Sequence, residues 1–536
     1  MNFSSDILQT TADGIIYYDP HIQTQVTDYS GAVGLKGKMT SGWEWDASNN
    51  TGKNDFHFYG DRTFNASLGS NQTHFDDGGF SFLQNTTNLN FNKALKNIAQ
   101  GFNLAAGTEF RYEKYQLYAG EEASYKNYDP TKSFPNANGD TVTVAGGAQG
   151  FPGYQPSDEA NANRTTFGVY VDAELDITKK FLITAAVRAE NYSDFGFTSN
   201  YKFSTRYKVA SNFVLRGSVS TGFRAPSLQQ INFSSTFTTV QGGTIAEVKI
   251  APNYSPITKA AGIPDLKQEK SVNGGVGFTY SPINNFNITV DGYIVQVKDR
   301  VVLSGQFDAS DPTLDPALAA QLNALSASLA QFFANAVNTT NKGVDLVIEY
   351  KKVAADHFFR SSLAANIQKM TIDKINVPTK LNDTPEHRQT FLSDREQKFI
   401  LASAPESKFA LGLEYGIHKL SFGTRFTYYG KTTILGYGED GLGINPTVPT
   451  DDGLSRVADQ YIYSGKVVSD LFATYKLCNE ATFCIGVDNI FGVHPDLAVV
   501  KNAKYWAYNN EPAGPWDAVQ MGGNGMMIYA KLGFKF

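Results

Sequence analysis

The sequence predicts an all-β protein, a transmembrane antiparallel β-barrel with short periplasmic turns and long extracellular loops. Three observations predict it. Apolar residues recur at every second position through most of the chain. Connections alternate between short and long. Strands begin or end in aromatic residues, as in Phe426-Thr427-Tyr428-Tyr429. Composition agrees: of 536 residues, 13% are aromatic and only 18% are charged. The formal net charge of −6 offers no basic field for nucleic acid. No stretch approaches the roughly 18–20 consecutive apolar residues of a membrane-spanning helix.

The elements follow in order. Residues 1–28 read as part of an extracellular loop and residues 29–536 as the barrel. The N-terminus, Met1-Asn2-Phe3-Ser4-Ser5-Asp6, lacks the cationic and apolar regions of a secretory signal. The first clear strand is 29–39, ahead of a turn at Thr40-Ser41-Gly42. In 167–177 every odd position is apolar, while Tyr170, Asp172, Glu174 and Asp176 share the other side, which is the pattern of a strand with one greasy face. A turn at 178–180 leads into Phe181, Ile183, Ala185 and Val187 on the next strand. The unit returns with Phe213, Leu215 and Val219, with Val272, Val276 and Phe278, and with Phe409, Leu411 and Leu413. The last strand carries Met526, Ile528, Ala530, Leu532, Phe534 and the terminal Phe536 on one face. The count is about 17 strands, with boundaries drifting by a few residues.

The connections sort by side. Short turns lie near 178–180, 208–212, 281–285, 351–357, 416–419 and 478–482. Long polar loops lie near 120–163, 224–269, 304–340, 373–406, 430–464 and 492–524. A membrane barrel has this asymmetry, and closing its sheet satisfies every backbone group in lipid. A soluble propeller would need a recurring blade motif every roughly 40–50 residues, which the sequence lacks. Followed through, the alternation starts on the long-loop side and ends on the short-turn side. That gives an odd strand count, whereas bacterial single-chain barrels have even ones. The expectation is a chain missing the N-terminal part of a larger protein.

Several motifs carry a resemblance. Ser220-Thr221-Gly222-Phe223-Arg224-Ala225-Pro226-Ser227-Leu228-Gln229-Gln230 looks like the strand-end motif of TonB-dependent outer-membrane receptors. Pro264-Asp265-Leu266-Lys267-Gln268-Glu269-Lys270-Ser271 resembles the family's L-x-P-E segment, with Gln268 where proline is usual. Asn341-Lys342-Gly343-Val344-Asp345-Leu346 resembles its G-V-D strand, and Val487-Asp488-Asn489-Ile490-Phe491-Gly492 its V-x-N-L-F-D strand. Phe534 and Phe536 match an outer-membrane assembly signal. The resemblance implies a 22-stranded barrel plugged by an N-terminal domain. It also implies uptake of a scarce nutrient (a siderophore, vitamin or oligosaccharide) energised by TonB. Partners would be the lipid bilayer, the assembly machinery, the TonB complex for the full-length parent and a small-molecule ligand. No plug or TonB box is visible here, and about five strands of the expected 22 are lacking.

Candidate residues are few. The seven histidines are scattered and form no H-E-x-x-H or paired metal spacing. No G-x-S-x-G elbow or Walker loop is present, so no catalytic group, metal or cofactor is expected. Asp451-Asp452 reads as solvated loop charge, and Asp46-Ala47-Ser48-Asn49-Asn50 lacks the glycine and final glutamate of a calcium loop. Arg224 has two readings: facing a ligand or plug at the outer end of the lumen, or fixing the strand exit that Pro226 stiffens. Gln229 follows it in the same motif. Tyr437, Tyr505, Trp506 and Trp516 lie in the last long loops, where aromatics suit sugars or flat chelates as well as interfacial anchoring. Leu314, Leu318, Leu322, Leu325, Leu329 and Phe332 have helical spacing, predicting a loop helix near 312–334. Cys478 and Cys484 flank a short turn, where a disulfide and two free thiols are both open. The functions in play are a TonB-energised receptor in the cell outer membrane, a passive pore, and a barrel enzyme for which no nucleophile–base pair can be assembled.

Overall fold

The computed structural model describes residues 8–10, 16–18, 20–69, 72–135, 141–144, 146–241, 244–324, 328–503 and 520–535. Its main body is one continuous antiparallel meander. The strands are β1 (His21–Lys38), β2 (Glu44–Asp61), β3 (His74–Leu95), β4 (Phe102–Tyr118), β5 (Ala160–Asp176) and β6 (Phe181–Tyr192). They continue with β7 (Gly196–Ala210), β8 (Phe213–Arg224), β9 (Glu269–Ile283), β10 (Phe286–Leu303), β11 (Leu329–Val353) and β12 (His357–Ile375). The last are β13 (Ser407–Ile417), β14 (Leu420–Tyr429), β15 (Lys466–Lys476), β16 (Ala481–Asp488) and β17 (Met527–Phe534). From β1 to β17 each pairs with the next, so even the long loop between β8 and β9 returns the chain to the neighbouring position.

The two faces of this sheet differ as the alternation requires. One face is apolar and uncovered: Val33, Val276 and Ile528 are 71%, 72% and 67% exposed. These rows do not pack against a second layer. The other face carries Asp172, Arg188, Arg216, Asp291 and Asp345. On β2 and β3 the apolar face is interrupted. There Asn49 donates to Thr87 Oγ1 at 2.8 Å and Asn85 donates to Asn49 Oδ1 at 3.0 Å, so the polar groups satisfy one another.

Short connections are tight. At 39–43, Gly42 N–H donates to the Met39 carbonyl at 2.9 Å with Gly42 at φ 85, a value that suits glycine. Asn285 (φ 74) and His418 (φ 50) serve the two-residue turns at 284–285 and 418–419, which require positive φ.

Two expectations change. The first strand begins at His21, so residues 21–28 belong to the sheet instead of an extracellular loop. Their signal was missing because Gln23, Gln25 and Thr27 occupy the side that holds Val33 and Leu35 lower down; the strand outruns its apolar belt. The loop helix covers Pro316–Ala324, not 312–334. Leu329 and Phe332 lie in β11, where 329–332 pairs in parallel with 248–251. Leu318, Leu322 and Phe332 still share one core, so strand pairing overrides the helical period without changing which residues are buried. Leu325 lies outside the described residues. Of the two readings left open for Cys478 and Cys484, the structure holds two free thiols. The ladder pairs Cys484 with Thr474, up the strand from the turn that holds Cys478, so the two do not face each other.

The long loops fold into a layered cap at one rim. Segments 251–263, 307–337 and 381–392 share a core of Ile257, Ile263, Phe307, Leu318, Leu322, Phe332 and Phe391. His387, 2% exposed, ties two loops by bonding Asp383 through Nδ1 at 2.7 Å and Asp311 through Nε2 at 3.2 Å. A second core joins Ile434, Tyr461, Tyr463 and Ala498. A third sets Phe151 and Tyr154 of the loop 119–159 against Phe58, Phe80 and Tyr115 of the polar face.

Candidate ligand site at the long-loop rim

The polar face gathers arginines and carboxylates where β4, β5, β6 and β8 reach the long loops. Period-2 alternation puts Glu109, Arg111 and Glu113 on one side of β4, opposite Gly168, Thr166 and Arg164 of β5. Arg111 pairs with Glu109 at 2.5 Å, and Arg188 with Glu190 at 2.6 Å and Glu109 at 3.2 Å. Arg164 is 2% exposed and is held by Asp194 at 2.8 Å and by the Pro226 carbonyl at 2.7 Å. Its guanidinium also lies over the rings of Tyr192 and Phe195. A cavity of about 530 Å³ opens among these groups, with Arg224 and Ser227 on its border.

Arg224 lines the cavity and also joins two strands. It pairs with Glu269 at 3.1 Å, joining the end of β8 to the start of β9, and Glu269 also accepts the Val301 N–H at 3.0 Å. Yet the Arg224 side chain stays 59% exposed, against 27% for Arg111 and 33% for Arg188. It is the most exposed of the three guanidiniums. The task of pinning the Pro226 exit falls instead to Arg164, which sequence reasoning missed. Its signal was its place in step with Glu113, obscured because Asn163 and Thr165 on either side give no apolar rhythm.

The other candidates separate. Gln229 sits exposed on the Leu228–Asn232 helix, away from the cavity lining. Tyr437 stacks on the Arg395 guanidinium at 3.9 Å in a different part of the cap. Asp452 is bonded by the Thr450 hydroxyl at 2.6 Å as a turn residue. Phe534 lies on β17, 62% exposed. Tyr505, Trp506, Trp516 and Phe536 lie outside the described residues.

Beside the site, the loop 119–159 is clamped onto the rim end of β3, past the apolar belt. Tyr154 N–H donates to the Asp77 carbonyl, and Glu121 N–H to that of Asp76, both at 2.9 Å. The Asp77 side chain is fully buried, and neither carboxyl oxygen has a hydrogen-bond partner. Burial first, then the neighbouring Asp76 and Glu121 carboxylates, push its pKa up to about 8. The clamp therefore encloses a neutral acid at neutral pH.

The family model for the TonB dependent receptor-like β-barrel matches residues 2–490. No curated protein sequence matches. Solved structures do. The pyoverdine receptor FpvA of Pseudomonas aeruginosa is 12% identical, with a TM-score of 0.55 over 96% of this chain and 62% of its own. The siderophore receptor PirA of Acinetobacter baumannii is 16% identical, with a TM-score of 0.54 over 96% and 63%. The ferric-catecholate import receptor Fiu of E. coli K12 is 13% identical, with a TM-score of 0.54 over 96% and 64%. This chain thus spans less than two thirds of the length of the structures it matches.

Proposed function

The chain belongs to the TonB-dependent receptor β-barrel family, and from that premise we propose that it is the barrel wall of an outer-membrane receptor for a small anionic ligand of the ferric-siderophore class. The observation that carries the ligand class is a cavity that Arg111, Arg188 and Arg224 line together with Glu113 and Glu190, Arg224 being the most exposed of the three arginines. Guanidinium forks suit carboxylate, catecholate and other chelating oxygens. The siderophore receptors among the structural neighbours support the same class. Uptake in this reading draws energy from TonB.

The reading extends to architecture. The order in which β17 neighbours β1 supports a wall wrapped into a barrel. Yet β1 and β17 are exposed along nearly their whole length, unlike the strands between them. A seam between these two edges is where the remaining strands of a 22-stranded barrel would pair, making this chain about 17 of them. Finding no barrel strands and no plug encoded in frame upstream of this segment would overturn that part.

Ligand binding is tested by titrating ferric catecholate, hydroxamate and pyoverdine-type chelates against the full chain folded in detergent. Binding is expected for at least one, weakened about tenfold or more by Arg224→Gln. Chelates that bind the variant as tightly as the parent would remove Arg224 from the site. Steady conductance in planar bilayers with no chelate binding would favour the passive pore.

A further inference from the structure

The apolar face holds a feature that the cap and cavity leave unused. Across β5 to β8 runs a furrow of about 430 Å³ lined by Val171, Ala185, Val187, Phe203 and Val219. It meets a second depression, of about 470 Å³, at Tyr201 and Thr221, which line both. The second depression lies nearer the long loops and carries Lys270, Lys298, Gln268 and Gln296. Together they make one channel, apolar at belt height and cationic at the long-loop edge.

The lysines stand in an arrangement that sheets avoid. Lys270 on β9 is directly opposite Lys298 on β10. On the neighbouring pair of strands, Lys342 is directly opposite Lys369. Like charges facing each other across a ladder are destabilising unless an anion intervenes. Among the described residues none of the four forms an ion pair or a side-chain hydrogen bond. Some lysines on the wall do have acids, as Lys38 has Glu44 at 3.0 Å and Lys53 has Asp55 at 3.1 Å; what sets these four apart is that each faces another lysine across the ladder. The acid near the second pair, Asp373, is occupied by the hydroxyls of Thr340 and Thr371.

We propose that this face is a binding site for an outer-leaflet lipid with phosphates on its headgroup and several acyl chains. The phosphates sit between Lys270 and Lys298, with Lys342 and Lys369 extending the cationic edge. The chains run down the furrow past Tyr201 onto Val187, Phe203 and Val219. Charge complementarity chooses the headgroup, and the apolar furrow directly below it chooses a lipid over a free anion. The inference rests on the reading of this face as lipid-embedded.

The full chain is inserted into phosphatidylcholine nanodiscs containing lipid A with both phosphates, or lipid A with its phosphates removed. Native mass spectrometry then counts lipid A retained on the released protein. Retention of the phosphorylated form is expected, with about tenfold or greater loss for the dephosphorylated form and for the Lys270→Gln/Lys298→Gln variant. Equal retention by that variant, or equal retention of the dephosphorylated lipid, would overturn the site. So would displacement of lipid A by millimolar inorganic phosphate, which would leave an anion site without a lipid. Insertion into discs is scored separately: a chain that never inserts refutes the lipid-embedded wall itself, whereas insertion without lysine-dependent retention refutes only the lipid site.

Discussion

Asp77 is the residue whose chemistry is furthest from ordinary. A free aspartate loses its proton near 3.8, whereas this one holds it to about 8. Between those values the folded clamp binds more protons than the open chain, so its stability falls as pH rises and levels off above about 8. The loop 119–159 should therefore become more sensitive to protease from pH 5 to 9, with protease activity calibrated at each pH on an unfolded substrate. Asp77→Asn should flatten that profile; an unchanged slope in the variant would assign the effect to other groups. Arg224 shows how far single residues were legible. Its motif marked it, and the structure sets it at the cavity edge. Arg164, which does more of the anchoring, was invisible because a buried arginine among polar neighbours leaves no periodic trace.

At the level of elements, legibility followed the apolar belt. Strands β5 to β10 and β13 to β17 announced themselves because lipid-height residues alternate cleanly. Strands β2 and β3 did not, because Asn49, Thr51, Asn85 and Thr87 break the rhythm while satisfying each other's hydrogen bonds. Past the belt, pairing continues with no sequence signature, which is why β1 started earlier than its pattern. The helix at 316–324 was over-extended for the opposite reason: burial of Leu329 and Phe332 looks the same from a helix or a strand. The β15–β16 hairpin gives a clean check. Both Cys478 and Cys484 should react with a thiol reagent under denaturing, non-reducing conditions, since the ladder sets Cys484 opposite Thr474; a count of zero would instead show the disulfide.

For the molecule as a whole, the decisive property is a sheet with one uncovered apolar face and one charged face. That arrangement predicts an asymmetry between faces at the same height. Val276→Lys, at the heart of the belt, should destabilise folding into lipid vesicles by about 2–4 kcal/mol. The adjacent polar-face change Gly275→Ser should cost much less, since its side chain stays in a polar setting. Reversible urea unfolding in vesicles measures both. Equal costs would contradict the assignment of the two faces.

The cap has a bearing on how such a chain is made. Its largest core draws on stretches that follow β8, β10 and β12, so no one of those stretches can settle until all the strands between them are in register. In the outer-membrane reading proposed above, each stretch would cross the bilayer before this core condenses. On that reading the finished cap would be a receipt for correct threading, and its resistance to proteases added outside the cell would time the last step of assembly.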